Sequence, residues 1–292
     1  MQNFTDKLVV ITGGASGVGR SLAFALGAEG ARVLIADVDE EGLRRTEAEL
    51  IQKNIAAFSQ VCDVTKQESL DALAGKAFDE LGGAHVVFAN AGIAAGEQGA
   101  IWDYNAQDWQ WTFEVNFWGA VNSVNAFMPR LAAQNEDSHM VITGSANGAF
   151  LYYPDQPVYS ASKAAVMALT ETLYLQMTQA QSPIKIHALL PGPHIVDTGL
   201  FDSDRVRPEA LARPEGAPDK IIRSTEDLRQ IMEGFGMELK TTHPDEVAQI
   251  ALDGLKADQF WIAPLNDGAK GNVQARFDSI LNRTNPPVPT LG

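Results

Sequence analysis

The chain has 292 residues, of which 45% are hydrophobic and 20% charged, and this composition excludes collagen-like, low-complexity and wholly disordered proteins. Its 37 acidic residues outnumber 22 basic ones, and the net charge of −15 makes nucleic acids and anionic membranes poor partners. No run of about 18 uninterrupted apolar residues occurs, so the sequence predicts no membrane-spanning helix.

Short apolar runs alternate along the chain with longer segments of helical periodicity, a rhythm typical of βαβ units around a parallel sheet. Runs such as LVVIT and VLIAD are continuously hydrophobic, as strands covered on both faces should be. The predicted strands are 8–12, 32–37, 57–63, 85–89, 139–144, 184–190 and 259–263. The predicted helices are 17–29, 40–52, 67–81, 106–133, 158–180 and 244–256. We therefore predict an α/β fold, a Rossmann-type doubly wound parallel sheet of about seven strands with helices on both faces.

The stretch 197–242 differs from the rest, because it is charged, contains prolines and lacks strand periodicity. An excursion this long inside a compact domain is usually a lid or a binding loop. Within it, STEDLRQIMEGFG predicts a short helix that ends at glycine. We expect a single domain over residues 1–292, with a lid at about 197–242 and an extended, proline-rich tail at about 283–292.

A glycine-rich turn, TGGASGVG, joins the first predicted strand to the first predicted helix. Glycines permit positive φ and let the backbone approach a pyrophosphate, while free N–H groups and the helix dipole attract phosphate. The turn thus predicts a dinucleotide site despite the negative net charge. Its predicted contact residues are Gly13, Ser16, Gly17, Val18 and Gly19.

Asp37 ends the second predicted strand, roughly 20 residues beyond the glycine turn. A carboxylate there accepts hydrogen bonds from the adenosine ribose hydroxyls and repels a 2′-phosphate. Neither Ser16 nor Val38 offers the cation that a 2′-phosphate needs. We therefore predict NAD(H) rather than NADP(H) as the cofactor.

Tyr159 and Lys163 are four residues apart at the start of a predicted helix, so they share one face. An unperturbed tyrosine titrates near pH ~10, but a neighbouring ammonium favours the phenolate. A shift of about three units, roughly 4 kcal/mol, would make the phenol a workable proton shuttle at neutral pH. The pair therefore indicates acid–base chemistry.

These residues belong to an ordered set of motifs that resembles the short-chain dehydrogenase/reductase family, in its classical branch. The chain carries that family's TGxxxGxG turn and its YxxxK signature, here YSASK. The other matching positions are Asn90-Ala91-Gly92, Asn116, Ser145 and Pro191-Gly192 followed by Thr198. Ser145 lies 14 residues before Tyr159, slightly wider than is usual, and the predicted lid is longer than in minimal members. Both departures bear on the identity of the substrate.

The resemblance implies the interconversion of a secondary alcohol and its ketone, with Tyr159 as general acid/base. Ser145 would polarise the substrate oxygen, Lys163 would also bind the nicotinamide ribose, and Asn116 would support a water chain. The implied catalytic set is Asn116, Ser145, Tyr159 and Lys163. Further cofactor contacts would come from Asp63, Val64, Asn90, Ala91, Gly92, Pro191, Gly192 and Thr198, together with Tyr159 and Lys163.

The residues that follow the predicted strand ends are mostly apolar or aromatic, and no arginine adjoins a motif there to clamp a carboxylate. We therefore expect the small-molecule substrate to be a lipophilic or aromatic alcohol, or its ketone. The predicted substrate contacts are Ser145, Asn147, Phe150, Tyr153 and His194.

Two other functions remain open. Relatives with YxxxK also work as nucleotide-sugar epimerases or dehydratases, but those usually carry GxxGxxG and a larger C-terminal domain, which this chain lacks. A non-catalytic dinucleotide-binding scaffold is the second alternative, and the intact set of four catalytic residues argues against it.

The cysteine, the histidines, the first residues and two apolar helices bear on compartment, metal binding and assembly. The lone Cys62 cannot form an internal disulfide and the first residues lack a signal-peptide pattern, so we expect a cytoplasmic protein. The five histidines lack metal-ligand spacing, so no metal is predicted. Family members are commonly homodimers or homotetramers, and the helical segments 116–131 and 161–177 are apolar around most of their circumference. We therefore expect self-association.

Overall fold

The computed structural model describes residues 1–94, 100–216 and 222–289. Its strands are β1 (Leu8–Thr12), β2 (Arg32–Asp37), β3 (Ala57–Val61), β4 (Val86–Ala89), β5 (Ser138–Thr143), β6 (Ile184–Leu189), β7 (Ile195–Val196), β8 (Thr241–Thr242) and β9 (Trp261–Ile262). Seven of them form one parallel sheet in the order β3-β2-β1-β4-β5-β6-β9, while β7 pairs with β8 separately. This sheet confirms the predicted doubly wound fold.

Helices connect the strands on both faces. They are α1 (Gly17–Ala28), α2 (Glu40–Gln52), α3 (Gln67–Gly75), α4 (Ala106–Phe113), α5 (Gly119–Gln134), α6 (Ala146–Ala149), α7 (Pro157–Gln179), α8 (Thr225–Gly234), α9 (Pro244–Lys256) and α10 (Asp267–Asn282). None of these described helices combines the length and the hydrophobicity that a membrane span requires.

Alternate residues of β1 feed two cores on opposite sides of the sheet. Val9 and Ile11 belong to one core together with Leu22 of α1. Leu8 and Val10 belong to the other core, which also contains side chains of α3, α5 and α7. Because every residue of β1 is buried, the strand reads as a continuous hydrophobic run in the sequence.

The central strand β1 lies between β2 and β4, so the winding of the chain reverses at this point. In doubly wound sheets, ligands bind at such a switch point, beyond the carboxyl ends of the strands. Thr12, Asp37 and Asn90 occupy those ends or follow them directly, and Ser145 follows β5. The fold therefore brings the predicted site residues to one edge of the sheet.

Some elements differ from the predicted ones. The predicted helix 106–133 is divided, because a π-helical turn, Glu114–Trp118, joins α4 to α5. The helix α10 lies where none is predicted, since its sequence DGAKGNVQARFDSILN contains two glycines and little amphipathic periodicity.

The predicted lid contains regular structure of its own. It begins with two 3₁₀ segments, Gly199–Val206 and Glu209–Leu211, and continues through α8 to β8. In the predicted tail, residues 284–289 form neither helix nor strand. Residues 217–221 of the lid and 290–292 of the tail lie outside the described residues.

Candidate active site

The glycine turn after β1 is packed too tightly for other residues. Gly13 has a φ of +69°, and a Cβ there would lie 2.9 Å from the Ala91 Cα. A Cβ at Gly19 would overlap the Gly13 carbonyl oxygen. Ser16 precedes α1 in an extended conformation and, within the described chain, its side chain makes no capping hydrogen bond. The first turn of α1, which includes Val18, therefore presents backbone N–H groups beside glycines, whose lack of a side chain permits the close approach that phosphate binding requires.

Asp37 is held against this turn. One carboxylate oxygen accepts a hydrogen bond from the Ala15 N–H and the other from the Asp39 N–H, both at 3.1 Å. Burial raises the pKa of Asp37, and the backbone donors oppose that shift. Each oxygen has a second lone pair, so the carboxylate can still accept hydrogen bonds from a diol.

Asp63 and Val64 follow β3, the strand that pairs with β2. The Asp63 carboxylate accepts hydrogen bonds from the Thr65 N–H and hydroxyl at 3.0 and 2.8 Å. Val64 is buried, and its carbonyl oxygen accepts a hydrogen bond from the Asn122 amide at 3.0 Å. Both residues are thus fixed beside β2 and α5.

Asn90 ties three strand ends together. Its amide nitrogen donates to the Thr12 carbonyl oxygen at 3.0 Å, and its amide oxygen accepts from the Thr143 hydroxyl at 3.1 Å. These bonds give Asn90 a structural role in the floor of the crevice. Two residues later, a Cβ at Gly92 would lie 3.3 Å from Asn116 Oδ1 and 3.4 Å from Lys163 Nζ. The N-A-G segment, including Ala91, therefore lies between the glycine turn on one side and Asn116 and Lys163 on the other.

Lys163 is buried one helical turn from Tyr159. Its Nζ donates to the Thr143 carbonyl oxygen at 2.9 Å and lies 5.8 Å from the centre of the Tyr159 ring. Burial lowers the pKa of Lys163 to about 8. A cation fixed at this distance favours the phenolate form of the tyrosine.

Asn116 lies in the π-helical turn between α4 and α5 and is 2% exposed. Its Oδ1 accepts a hydrogen bond from the Ile93 N–H at 2.8 Å. Its Nδ2 donates to the Ile93 carbonyl oxygen and to the Ser162 hydroxyl, both at 3.0 Å. The side chain therefore braces the loop after β4 against α7.

Ser145 precedes α6, and its hydroxyl accepts a hydrogen bond from the Asn147 N–H at 3.2 Å. Asn147 is buried, with its amide nitrogen 2.7 Å from Gln156 Oε1 and its amide oxygen 2.7 Å from the Ser160 hydroxyl. These bonds hold the Ser145 loop on α7. Asn147 therefore fixes the loop, and its contact with substrate stays a prediction.

The other predicted substrate residues follow β5 and β6 in the chain. Phe150 packs against Trp261, with ring centres 5.1 Å apart. Tyr153 is partly buried, and burial raises its pKa. The His194 N–H donates to the Thr242 hydroxyl at 3.1 Å, which ties this histidine's backbone to β8.

Pro191, Gly192 and Thr198 follow β6 on the way to the lid. A Cβ at Gly192 would lie 3.3 Å from the Pro264 carbonyl oxygen, so the segment runs close to the residues after β9. The Thr198 hydroxyl accepts a hydrogen bond from the Leu200 N–H at 3.3 Å. Its methyl group would be 3.1 Å from a Cβ at Gly17, which places the start of the lid on the glycine turn.

Sequence reasoning missed two residues that organise the site. The Thr143 carbonyl oxygen accepts the hydrogen bond from Lys163, and the Ser162 hydroxyl bonds Asn116. Ser162 could have been found from the sequence, because it is a small polar residue inside the YxxxK motif. A backbone acceptor such as the Thr143 carbonyl leaves no signal in side-chain identities.

A second titratable cluster lies between β5, β6 and the residues that precede β9. The ring nitrogens His139 Nδ1 and His187 Nε2 are 2.8 Å apart, and His187 Nδ1 is 2.7 Å from the Gln259 carbonyl oxygen. With Asp258 they form a trio, within the described residues, whose potential ligand atoms lie within 4.8 Å of one another. The short contacts pair the imidazoles with each other and with a carbonyl, as in a hydrogen-bonded pair.

Comparison with known proteins supports one family. A family model for short chain dehydrogenases matches residues 7–207. The 1-deoxy-11-beta-hydroxypentalenate dehydrogenase of Streptomyces exfoliatus is 29% identical over 284 residues, or 97% of this chain and 92% of that protein. A short chain dehydrogenase/reductase from Burkholderia phymatum, crystallised in complex with NAD, has a TM-score of 0.88 and 34% identity, with 100% of both chains covered. An alcohol dehydrogenase from the archaeon Thermococcus sibiricus, complexed with 5-hydroxy-NADP, has a TM-score of 0.66 and 25% identity, covering 86% of this chain and 90% of that one.

The family match extends over more than half of the chain and includes the glycine turn, the N-A-G segment and the YxxxK helix. The chain therefore belongs to the short-chain dehydrogenase family and is an oxidoreductase that acts on CH–OH groups.

Proposed function

We propose that this enzyme is an NAD(H)-dependent dehydrogenase or reductase that interconverts a secondary alcohol and its ketone, with Tyr159 as general acid/base. The observation that carries the proposal is the buried Lys163 ammonium, held by the Thr143 carbonyl oxygen 5.8 Å from the Tyr159 ring centre. An ammonium in this position stabilises the phenolate, which can then accept the alcohol proton.

The residues at the crevice fit a nicotinamide dinucleotide. The glycine turn leaves a surface that a Cβ would fill, and Asp37 keeps lone pairs for a ribose diol. The exposed residue after Asp37 is Val38, which carries no charge to neutralise a 2′-phosphate. These features favour NAD(H), as in the Burkholderia relative, over the NADP-type ligand of the Thermococcus relative.

The chain's own residues supply the proton chemistry, while the nicotinamide would accept or donate the hydride. Ser145 would hold and polarise the substrate oxygen, and Tyr159 would exchange the proton with it. Asn116 would support the proton's onward path by holding the backbone of Ile93 in place. Lys163 would stabilise the Tyr159 phenolate and would also bind the nicotinamide ribose.

We propose a lipophilic or aromatic substrate. Phe150 and the partly buried Tyr153 flank the loop that carries Ser145, and Ile93 follows the N-A-G segment in a small apolar cluster. A site of this composition gains more from burying apolar surface than from binding a charged group.

A panel of secondary alcohols and ketones, followed by NADH absorbance, tests the proposal. Aryl alcohols should be oxidised with NAD faster than with NADP and faster than small sugar acids. Tyr159→Phe should keep NADH binding and lose turnover by at least about 10³-fold. Turnover of a genuine substrate at the original rate in that variant would contradict the mechanism. NADH binding without turnover of any panel member would favour the scaffold alternative.

We also infer self-association through α5 and α7. Trp118, which precedes α5, is 52% exposed, and Leu175 on α7 is 57% exposed. Large exposed apolar side chains are typical of an interface. Light scattering should give a dimer or a tetramer, and Leu175→Glu combined with Trp118→Glu should give a smaller species. A wild-type monomer would contradict this inference.

A further inference from the structure

The first part of the predicted lid, residues 198–213, is fastened to α4 by buried charges. Arg207 Nη1 lies 2.8 Å from Asp108 Oδ1, although the two residues are far apart in the chain. Their side chains are 6% and 7% exposed. Charges removed from water to this extent persist only when they are paired and hydrogen-bonded.

Several further contacts surround this ion pair, while Arg207 Nη2 is buried without a hydrogen-bond partner among the described residues. The Arg207 Nε donates to the Leu211 carbonyl oxygen at 2.6 Å, and the guanidinium lies 4.8 Å from the Trp111 ring centre. Asp204 lies 3.5 Å from Arg207, and Arg213 approaches both carboxylates at 3.9 and 3.7 Å. Among the described residues, two cations thus face two carboxylates, and Arg207 and Asp108 form the most deeply buried pair of this group.

The same segment reaches the loop after β4 by two routes. Trp111, under the Arg207 guanidinium, packs with Ile93 in an apolar cluster that includes Val206 and Leu211. The Ser203 hydroxyl accepts a hydrogen bond from the Ala94 N–H at 3.2 Å. Ile93 is the residue whose N–H and carbonyl are both held by Asn116. The lid segment therefore braces the two residues that lead from the N-A-G segment toward the substrate.

We propose that Arg207 and Asp108 are positioning residues that keep residues 198–213 as a preformed wall of the substrate cavity. Because the wall is fixed by a buried ion pair, it selects substrates by size without having to close on them. The inference rests on the proposed alcohol–ketone activity for its kinetic consequences. Its structural part, a wall held by these two side chains, stands apart from that activity.

Three variants and one control separate the ion pair from general effects of mutation. Arg207→Met and Asp108→Asn each leave one buried charge without its main partner. The double variant Arg207→Met with Asp108→Leu removes both charges and leaves Asp204 opposite Arg213. Arg205→Met is the control, because Arg205 is exposed and its guanidinium bonds backbone carbonyls of the same segment.

The first readout, amide hydrogen exchange, needs no substrate. Exchange in residues 199–213 and at Ile93–Ala94 should be about tenfold faster in each single variant. The double variant lacks both charges of the pair, so its exchange should stay within about threefold of wild type. It also serves as the test if a single variant does not fold. The Arg205→Met control should match wild type. Single variants that exchange like the control, or a double variant that exchanges faster than both singles, would overturn the proposal.

The second readout compares 1-phenylethanol with 2-propanol as substrates. The single variants should raise KM for 1-phenylethanol about tenfold, with kcat within about threefold and NADH affinity within about twofold of wild type. The ratio of kcat/KM for 1-phenylethanol to that for 2-propanol should fall in the same proportion, and it should return to the wild-type value in the double variant. If kcat/KM falls equally for both alcohols, and only because kcat falls, a role of the ion pair in shaping the wall is contradicted. If wild type oxidises no panel alcohol, the proposed function fails, and the exchange experiment still decides whether the ion pair holds the wall.

Discussion

At the scale of single residues, Lys163 combines an unfavourable environment with the chemical role that we propose for it. Burial lowers its pKa from 10.5 to about 8. Between these values the unfolded state binds more protons, so the group destabilises the fold by roughly 3 kcal/mol below pH ~8. That penalty is relieved as the pH rises from about 8 toward 10.5. A residue kept at such a cost is typical of a functional site.

Lys163→Met should therefore lose turnover and gain stability. The substitution removes a buried charge but leaves the Thr143 carbonyl without this donor, so we expect a net gain of about 1–2 kcal/mol in the free energy of unfolding at neutral pH. Urea denaturation of the cofactor-free protein near pH ~7 and ~9.5 measures this, and the gain should shrink at the higher pH. A variant that is less stable than wild type at neutral pH would contradict the argument.

Asp37 is the residue on which the proposed preference for NAD(H) rests. Asp37→Ser with Val38→Arg should retain an acceptor for the Ala15 N–H, remove the carboxylate and add a cation for a 2′-phosphate. We expect the ratio of NADH to NADPH affinity, measured by nicotinamide fluorescence, to fall at least about 30-fold. Glu40→Ser with Ile51→Arg changes the net charge of exposed α2 positions equally and should leave the ratio unchanged. A similar fall in that control would assign the effect to bulk charge.

At the scale of elements, the loop between β5 and α7 sets the distance from Ser145 to Tyr159. Gly148 in α6 has a φ of +106°, and a Cβ there would lie 2.7 Å from the Ala164 nitrogen and 2.8 Å from the Lys163 Cβ. The loop therefore rests directly on the catalytic helix. This close approach allows the wide spacing between Ser145 and Tyr159 in the sequence without separating their elements.

Gly148→Ala tests this close approach against Gly82→Ala, because Gly82 also has a positive φ, +82°, but no neighbour within 4 Å of its Cβ position. Backbone strain alone should cost Gly82→Ala about 1 kcal/mol. Gly148→Ala should cost about 2 kcal/mol more by chemical denaturation and should lower kcat, since α7 or the loop must shift. Equal losses of stability in the two variants would show that the packing against α7 is loose.

The sequence predicts most strand and helix positions, but it does not predict the π-helical turn or the long-range ion pair. The bounds of β1, β2, α2 and α9 agree with the predicted ones, because hydrophobic runs and amphipathic periodicity dominate there. The π-helical turn at Glu114–Trp118 adds one residue per turn without disturbing the apolar pattern, so it left no signal. The ion pair between Arg207 and Asp108 joins distant parts of the chain, and single-sequence patterns do not reveal such pairs.

At the scale of the whole molecule, the buried histidine pair couples stability to pH. Burial, and next to it His187, lowers the pKa of His139 to about 2, and burial also lowers the pKa of His187. The surrounding charged groups are Lys185, Asp137, Asp258 and the Met1 amino group, which lies 3.2 Å from His139 Nε2. Below the ordinary histidine pKa of 6.5, the unfolded chain takes up protons that the folded chain does not. Stability should therefore fall as the pH falls from about 6.5.

His139→Gln should make the protein less sensitive to acid. Between pH ~6.5 and ~4.5, the slope of the free energy of unfolding against pH should decrease by about one proton, or ~1.4 kcal/mol per pH unit. His243→Gln is the control, since His243 is 64% exposed. Urea denaturation across this pH range provides the slopes. Equal slopes for wild type and His139→Gln would contradict the contribution of the pair.

The proton exchange at Tyr159 is tested most directly by the pH dependence of kcat/KM for alcohol oxidation, compared between wild type and Lys163→Met. We expect the wild-type profile to level off below the ordinary tyrosine pKa, because the ammonium favours the phenolate, with an ionisation that belongs to the coupled tyrosine–lysine pair. The residual activity of the variant should show its ionisation displaced toward pH ~10. The same ionisation in both proteins, or a wild-type rate that rises without a break up to pH ~10, would contradict a phenol activated by the buried lysine.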